Sequence, residues 1–167
     1  MDAVYAGSEP GLTTPEILTK RFSDPYSIYG YKSFEVATVD DKVVGQLCTW
    51  PEEDFDLDVL FEHLSDDRRD LLETFTSITY PGSLYIFAIS VSKRYRGGDA
   101  VRLMLERAEE KAREMDLDQV SIHAFGDNSA AISLYTRMGY KIHDSKQPPP
   151  DPALIYSGPV LLLAKAV

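Results

Sequence analysis

The chain has 167 residues, of which 44% are hydrophobic, and a formal net charge of −10 at pH 7. This length suits one compact domain over residues 1–167 and is too short for two. No apolar stretch approaches the ~20 residues that cross a bilayer, and the negative charge disfavours nucleic acid as a partner. The single Cys48 excludes an intramolecular disulfide, and no metal-ligand spacing is visible. Because a signal-peptide layout is also missing, we expect a cytoplasmic protein without a membrane partner.

The first half of the chain predicts a helix, a hairpin and a long acidic segment. Thr14 suits the N-cap and Pro15 the first position of a helix, which should end before Asp24. Alternating apolar residues then predict two strands around a turn. The strands cover 33–39 and 43–50, and a further helix starts at Ser65 within the acidic segment 51–82.

The second half alternates strands and helices. The apolar run 83–91 predicts a buried central strand, and 99–115 carries apolar residues at helical spacing. The remaining predicted elements are a strand at 119–125, a helix at 129–138, strands at 140–143 and 159–166, and a stiff proline-rich loop at 147–152. Strand–helix–strand order implies a parallel pair, and the hairpins imply antiparallel pairs, so we expect an α/β fold with a mixed sheet.

A glycine-containing turn joins the strand 83–91 to the helix 99–115. The segment runs Val91-Ser-Lys-Arg-Tyr-Arg-Gly-Gly-Asp-Ala-Val101. At a helix start the first N–H groups lack backbone partners and the helix dipole is positive, so such a turn binds anions. Gly97 and Gly98 allow close approach of a ligand, and the neighbouring basic residues add positive charge. The alternative is an ordinary strand–turn–helix joint.

A second pattern lies on the short helix that follows the strand 119–125. It runs Asn128-Ser-Ala-Ala131-Ile-Ser-Leu134-Tyr135-Thr-Arg-Met-Gly139-Tyr140. Asn128 can cap this helix, and Gly139 suits its C-terminal end. Taken alone, Tyr135 is better explained by packing than by catalysis.

Together the two patterns resemble the acetyl-CoA-binding core of the GNAT superfamily of N-acetyltransferases. That core reads Val-x-Pro-x-Tyr-Arg-Gly-x-Gly-x-Gly, then a helix, a strand and Asn-x-x-Ala-x-x-Leu-Tyr-x-x-x-Gly-Phe. The second element matches at every named position, with Tyr140 in place of Phe, and the resemblance covers about residues 33–144. In the first element Asp99 departs from the glycine-rich pattern. Its carboxylate would repel a pyrophosphate if it faced inward, and we interpret it as an outward helix cap.

The resemblance implies a mixed sheet that splays between two parallel strands, 83–92 and 119–125, flanked by helices, with acetyl-CoA in the gap. Residues 83–140 would form the cofactor-binding core, in which backbone groups near Ile89 and Val91 pair with the pantetheine arm. The pyrophosphate would be held by the amides of Arg96, Gly97, Gly98, Asp99, Ala100 and Val101. Asn128 would contact the cofactor, and Tyr135 would protonate the leaving thiolate.

The proton acceptor is less clear from the sequence. His123 stands twelve residues before Tyr135, where the related ribosomal-protein alanine acetyltransferases carry a glutamate base, and its unperturbed pKa of ~6.5 suits neutral pH. A structural, hydrogen-bonded histidine is an equal alternative. Glu52, Glu53 and Asp54 are rival bases acting through water.

These observations predict an N-acetyltransferase that moves an acetyl group from acetyl-CoA to an amine by direct attack. A different class of function, an acyl-CoA-binding regulatory module without catalysis, would explain the altered phosphate loop but not a tyrosine near the sulfur. The sequence leaves open the acceptor, which could be a small amine or a protein amine, and whether the protein is a monomer or a homodimer.

Overall fold

The structure is a computed structural model that describes residues 9–25, 30–54, 66–152 and 154–167. Its helices are α1 (Thr14–Ser23), α2 (Asp66–Thr76), α3 (Ala100–Glu114) and α4 (Ser129–Arg137). Its strands are β1 (Phe34–Val39), β2 (Lys42–Pro51), β3 (Ser83–Val91), β4 (Gln119–Phe125), β5 (Lys141–Lys146) and β6 (Val160–Ala166). The predicted helix start at Ser65 lies outside the described residues. None of the described helices is long and apolar enough to cross a membrane.

The six strands form one mixed sheet in the order β1-β2-β3-β4-β6-β5. Only β3 and β4 run parallel, and every other neighbouring pair is antiparallel. The parallel pair exists because α3 carries the chain from the end of β3 back to the start of β4, as parallel strands require. The predicted mixed sheet is therefore confirmed.

β3 and β4 pair over only four residues each, from Ser83–Ile86 to Gln119–Ile122. Beyond this point β3 continues against β2, and β4 continues against β6. Phe87 is an extra residue opposite β2, because Thr49 pairs with Ile86 and Cys48 with Ala88. Such a bulge bends a strand and increases its twist. It coincides with the point at which the two strands part and opens the cleft between β3 and β4.

α3 covers one face of the sheet and supplies much of the core. Leu105, Ala108 and Ala112 are fully buried on its inner side, at the spacing of a single apolar stripe. Gly45 of β2 has no room for a side chain, since an added Cβ would lie 2.8 Å from the Ser90 carbonyl and 3.1 Å from the Met104 methyl group. This packing holds the first turn of α3 close to the end of β3.

Several element boundaries differ from the sequence prediction by one residue, and the end of β5 differs by three. Thr13, one residue earlier than expected, is the N-cap of α1, and its N–H donates to the Glu16 carboxylate at 2.8 Å. β5 extends to Lys146 instead of ending at 143. It is an edge strand, and its side chains are nearly all exposed. Such a strand carries no apolar alternation by which its length could be recognised.

Candidate active site

The turn between β3 and α3 presents a row of backbone N–H groups. After the 3₁₀ turn Lys93–Tyr95, Gly97 adopts a left-handed φ of +81°, which glycine accommodates without strain. The first intrahelical bond of α3 runs from the Leu103 N–H to the Asp99 carbonyl at 2.9 Å, so the amides just before Leu103 have no partner within the helix. Such amides fit a phosphate group. The Arg96 amide is already engaged, because it donates to the Lys93 carbonyl at 3.4 Å.

Asp99 points away from these amides. Its side chain is 75% exposed and accepts a hydrogen bond from Arg102 at 3.2 Å, and Arg102 also pairs with Glu106 at 2.7 Å. The outward direction agrees with the interpretation made from the sequence, but the capping contact does not, since the Asp99 side chain makes no cap hydrogen bond. Arg102 is neutralised by its two carboxylate partners, so it adds less positive charge to the turn than its proximity suggests.

The backbone of β3 offers polar groups to the cleft at alternate residues. The Ser92 N–H donates to the Val44 carbonyl of β2 at 2.8 Å. Because hydrogen-bonded pairs alternate along an antiparallel ladder, Ser90 and Ala88 also face β2, while Val91 and Ile89 face the cleft. The Val91 carbonyl accepts a hydrogen bond from the Arg96 side chain at 3.3 Å.

Asn128 and Tyr135 lie on α4, as the sequence predicted. The Asn128 side chain caps the helix by accepting a hydrogen bond from the Ala131 N–H at 3.3 Å. Tyr135 is buried and belongs to the same core cluster as Ile86 and Ile122, at which the pairing of β3 and β4 ends. Burial raises the pKa of Tyr135 to about 12, so its hydroxyl keeps its proton at neutral pH.

His123 is the first β4 residue beyond the parallel pairing, and both of its ring nitrogens are engaged. Nε2 lies 2.8 Å from the Ile78 carbonyl, which only accepts, so Nε2 carries the proton and donates. Nδ1 therefore accepts from the Tyr85 hydroxyl at 2.9 Å. Burial lowers the pKa of His123 to about 4. The role of His123 as proton acceptor stays a prediction, but its lone pair is already occupied.

Tyr85 and Glu52 are two side chains whose surroundings stand out only in the structure. Tyr85 lies on β3, 38 positions before His123, and the hydrogen bond between them crosses from β3 to β4 where the strands part. Nothing in the buried strand run distinguished Tyr85 from a packing residue. Glu52 was one of three acidic candidates, and it differs from exposed Glu53 and Asp54 because its Oε2 atom is buried without a hydrogen-bond partner among the described residues.

Residues 8–140 match the acetyltransferase (GNAT) family. The chain belongs to this family. Among its relatives, the Bacillus subtilis (strain 168) protein called uncharacterized N-acetyltransferase YdgE is 32% identical over 56 residues. That match spans 34% of this chain and only 36% of the relative.

Solved GNAT structures share the fold. One crystal structure of an acetyltransferase superimposes with a TM-score of 0.65 at 20% identity, covering 93% of this chain and 82% of the other. The GNAT acetyltransferase from Elizabethkingia anophelis with acetyl-CoA bound gives a TM-score of 0.58 at 16% identity, covering 95% of this chain and 94% of the other. The family is one of acyltransferases with acetyl-CoA as cosubstrate.

The predicted site residues stay a prediction. Ile89, Val91 and the turn after them lie beyond the paired part of β3, and buried Tyr135 shares a core cluster with Ile86 and Ile122, the last paired residues. No cluster of three or more metal-ligating side chains occurs in the part of the chain that the structure describes.

Proposed function

We propose that the protein transfers an acetyl group from acetyl-CoA to a primary amine by direct attack of the amine on the thioester. The observation that carries this proposal is the parting of β3 and β4. Helix-start amides without an intrahelical partner lie at one end of this opening, and the Tyr85–His123 contact lies at the other. A thioester placed in the cleft would be reached from the sheet face opposite α3.

The cofactor's polar groups have matching partners in the chain. Amides between Gly97 and Arg102 would hold the pyrophosphate, and the backbone of Ile89 and Val91 would pair with the pantetheine arm, as a neighbouring strand would. For the Val91 carbonyl this pairing requires the Arg96 side chain to leave its present hydrogen bond. The Arg96 guanidinium would then be available to the phosphates. Asn128 would contact the cofactor from the start of α4.

Tyr135 would act on the leaving group. A phenol with a pKa of about 12 is a weaker acid than a thiol, whose ordinary pKa is ~8.5. Its hydroxyl would therefore stabilise the developing thiolate by donating a hydrogen bond to the sulfur. The hydroxyl proton would move fully to the sulfur only as Tyr135 receives a replacement proton.

The alternative function, a regulatory module that binds acyl-CoA without catalysis, is favoured by one observation. The phosphate turn carries the Asp99–Arg102–Glu106 ion pairs in place of an uncompensated positive charge. Against it stands Tyr135, a buried tyrosine on α4 that binding alone would not require.

Acetyl-CoA turnover with a panel of amines separates the two functions. Release of free thiol should depend on an added primary amine and yield its acetamide, detected by mass. A protein that binds acetyl-CoA in calorimetry but acetylates no amine in a panel of small amines and peptides would support the regulatory module. A protein that binds no acyl-CoA would contradict both.

A further inference from the structure

Among the described residues, one carboxylate oxygen is buried without a hydrogen-bond partner, although the residue that carries it, Glu52, is half-buried as a whole. Glu109, which is buried on α3, is paired with Lys165 at 2.7 Å. The buried Oε2 atom of Glu52 has no hydrogen-bond partner, and no ion pair involves Glu52 among the described residues. A buried charge without a partner is costly, so it either takes up a proton or awaits a cation.

Glu52 directly follows β2 and lies near Tyr85 of β3. Trp50 pairs with Tyr85 and packs edge-on against it, with ring centroids 5.7 Å apart. Glu52 follows two residues later, and its charge acts on the Tyr85 hydroxyl, whose pKa it helps to raise. Tyr85 in turn contacts His123 where β3 and β4 part. Glu52 and the end of the cleft are thus linked through one side chain.

We propose that Glu52 binds the ammonium group of the acceptor and takes from it the proton that the nitrogen must lose before it attacks. The inference rests on the proposed acetylation of an amine. The acceptor would supply the positive charge that is missing beside Glu52. The substrate is therefore a primary amine that arrives protonated.

Basicity favours Glu52 over His123 for this role. Burial raises the pKa of Glu52 to about 7, whereas burial lowers the pKa of His123 to about 4. The Glu52 carboxylate is therefore the stronger base of the two. Glu52 is also poised near neutral pH, where a general base is most effective.

No described charged group opposes this behaviour of Glu52. Desolvation is the one cause of its shift, and Tyr85 of β3 and Cys48 of β2 are the titratable side chains in the adjoining cluster. His123 of β4 is reached only through Tyr85. α2 contributes the apolar Leu72 to this cluster. Its charged residues at 69, 70 and 73 are exposed, and its half-buried Arg68 pairs with Asp151.

The protons balance as follows. The ammonium gives one proton to the Glu52 carboxylate, which later releases it to water. The neutral nitrogen then forms the C–N bond as the C–S bond breaks, and Tyr135 supplies a proton to the sulfur. The second nitrogen proton, lost as the amide forms, restores Tyr135. The products are the acetamide, the free thiol and one proton.

Tyr85 and His123 become positioning residues in this scheme. The Tyr85–His123 hydrogen bond spans the two strands at the end of the cleft, and the Ile78 carbonyl fixes the imidazole from the other side. Their contact ties β3 to β4 where the two strands part. Substitution of His123 should therefore raise KM or lower stability without removing the ionisation that controls the rate.

The test measures kcat/KM from pH 5 to 9 for the wild type, Glu52→Gln, Glu73→Gln and His123→Gln, using the amine identified in the turnover panel. The wild type should show a limb that rises with pH and bends near 7. Glu52→Gln should lose this limb and at least about 100-fold in kcat/KM at pH 7. Exposed Glu73 on α2 provides the matched control, which should behave as the wild type.

Acetyl-CoA calorimetry checks that each variant keeps an intact cleft. If Glu52→Gln does not fold, Glu52→Asp replaces it in the test and should keep the rising limb at a reduced rate. The inference is overturned if Glu52→Gln keeps both rate and limb, or if the limb disappears in His123→Gln instead. A wild type that acetylates no amine would reject the proposed function and, with it, the role of Glu52, whereas an active Glu52→Gln variant would reject the role of Glu52 alone.

Discussion

A single hydroxyl on α4, that of Tyr135, carries the leaving-group chemistry proposed for this chain. Tyr135→Phe should lower kcat by roughly 10²–10⁴-fold, because the hydroxyl is needed where thiolate charge develops. The acetyl-CoA dissociation constant should change little, since the ring remains in the core.

Single-turnover kinetics of Tyr135→Phe, which isolate chemistry from product release, provide the measurement. Tyr140→Phe is the matched control, since its ring centroid lies 6.0 Å from that of Tyr135 and its hydroxyl is buried without a hydrogen-bond partner among the described residues. Equal single-turnover rates for wild type and Tyr135→Phe would remove Tyr135 from the mechanism.

The half-buried carboxyl of Glu52 also predicts a pH-dependent change in stability. Its folded-state pKa of about 7 lies above the ordinary value of 4.5, so the folded protein binds a proton that the unfolded chain has released. Stability from this group is complete below about pH 4.5 and is lost as the pH rises to about 7. Glu52→Gln has no carboxyl to ionise and therefore avoids this loss of stability. The Tm of Glu52→Gln should exceed the wild-type Tm by a larger margin at pH 8 than at pH 5.

Thermal unfolding at the two pH values measures this difference, and ~1 kcal/mol corresponds to roughly 2–4 °C in a chain of this size. Glu73→Gln should show no difference between the two values, because its side chain is exposed. A Tm gain for Glu52→Gln that is equal at pH 5 and pH 8 would mean that the carboxyl titrates normally.

At the level of the element, the start of α3 combines a favourable backbone with an unfavourable charge. The Asp99 carboxylate faces solvent but remains close to the amides assigned to the pyrophosphate. Asp99→Asn should tighten coenzyme A binding by about two- to fivefold at low salt, because one exposed negative charge is worth at most ~1 kcal/mol at such distances. The gain should shrink at high salt through screening.

Calorimetry at two salt concentrations tests the effect, with Glu110→Gln as a control that removes the same charge further along α3. Weaker binding by Asp99→Asn would show instead that the Asp99–Arg102 contact orders the turn.

Elements with a strong local pattern were predicted correctly, and contacts between distant elements were not. The apolar run of β3, the stripe of α3 and the Asn128 cap of α4 depend on neighbours within a few residues, and all three are confirmed. The partners of His123 could not be predicted, because Ile78 and Tyr85 approach it only when α2, β3 and β4 come together. The burial of Glu52 depends on the same assembly.

At the scale of the whole molecule, the sheet consists of two halves that follow one another in the chain. β1, β2 and β3 form the first half, and β4, β6 and β5 form the second. Four residue pairs between β3 and β4 hold the halves together within the sheet, and α3 packs across both. The sheet is therefore joined least securely beside the site where the cosubstrate is proposed to bind.

Because β3 and β4 pair over so few residues, the cosubstrate should bind between them as a seventh strand would. Amide hydrogen exchange along β3 should reveal this binding. The amides of Ile89 and Val91 face the cleft, whereas those of Ala88 and Ser90 already bond to β2. Coenzyme A should slow exchange at the first two amides by tenfold or more while leaving the other two nearly unchanged, as measured by NMR. Uniform slowing along β3 would indicate general rigidification. Protection of the amides of Ile89 and Val91 alone would show that coenzyme A completes the sheet. The stability of the contact between the two halves would then depend on bound coenzyme A as well as on the sequence.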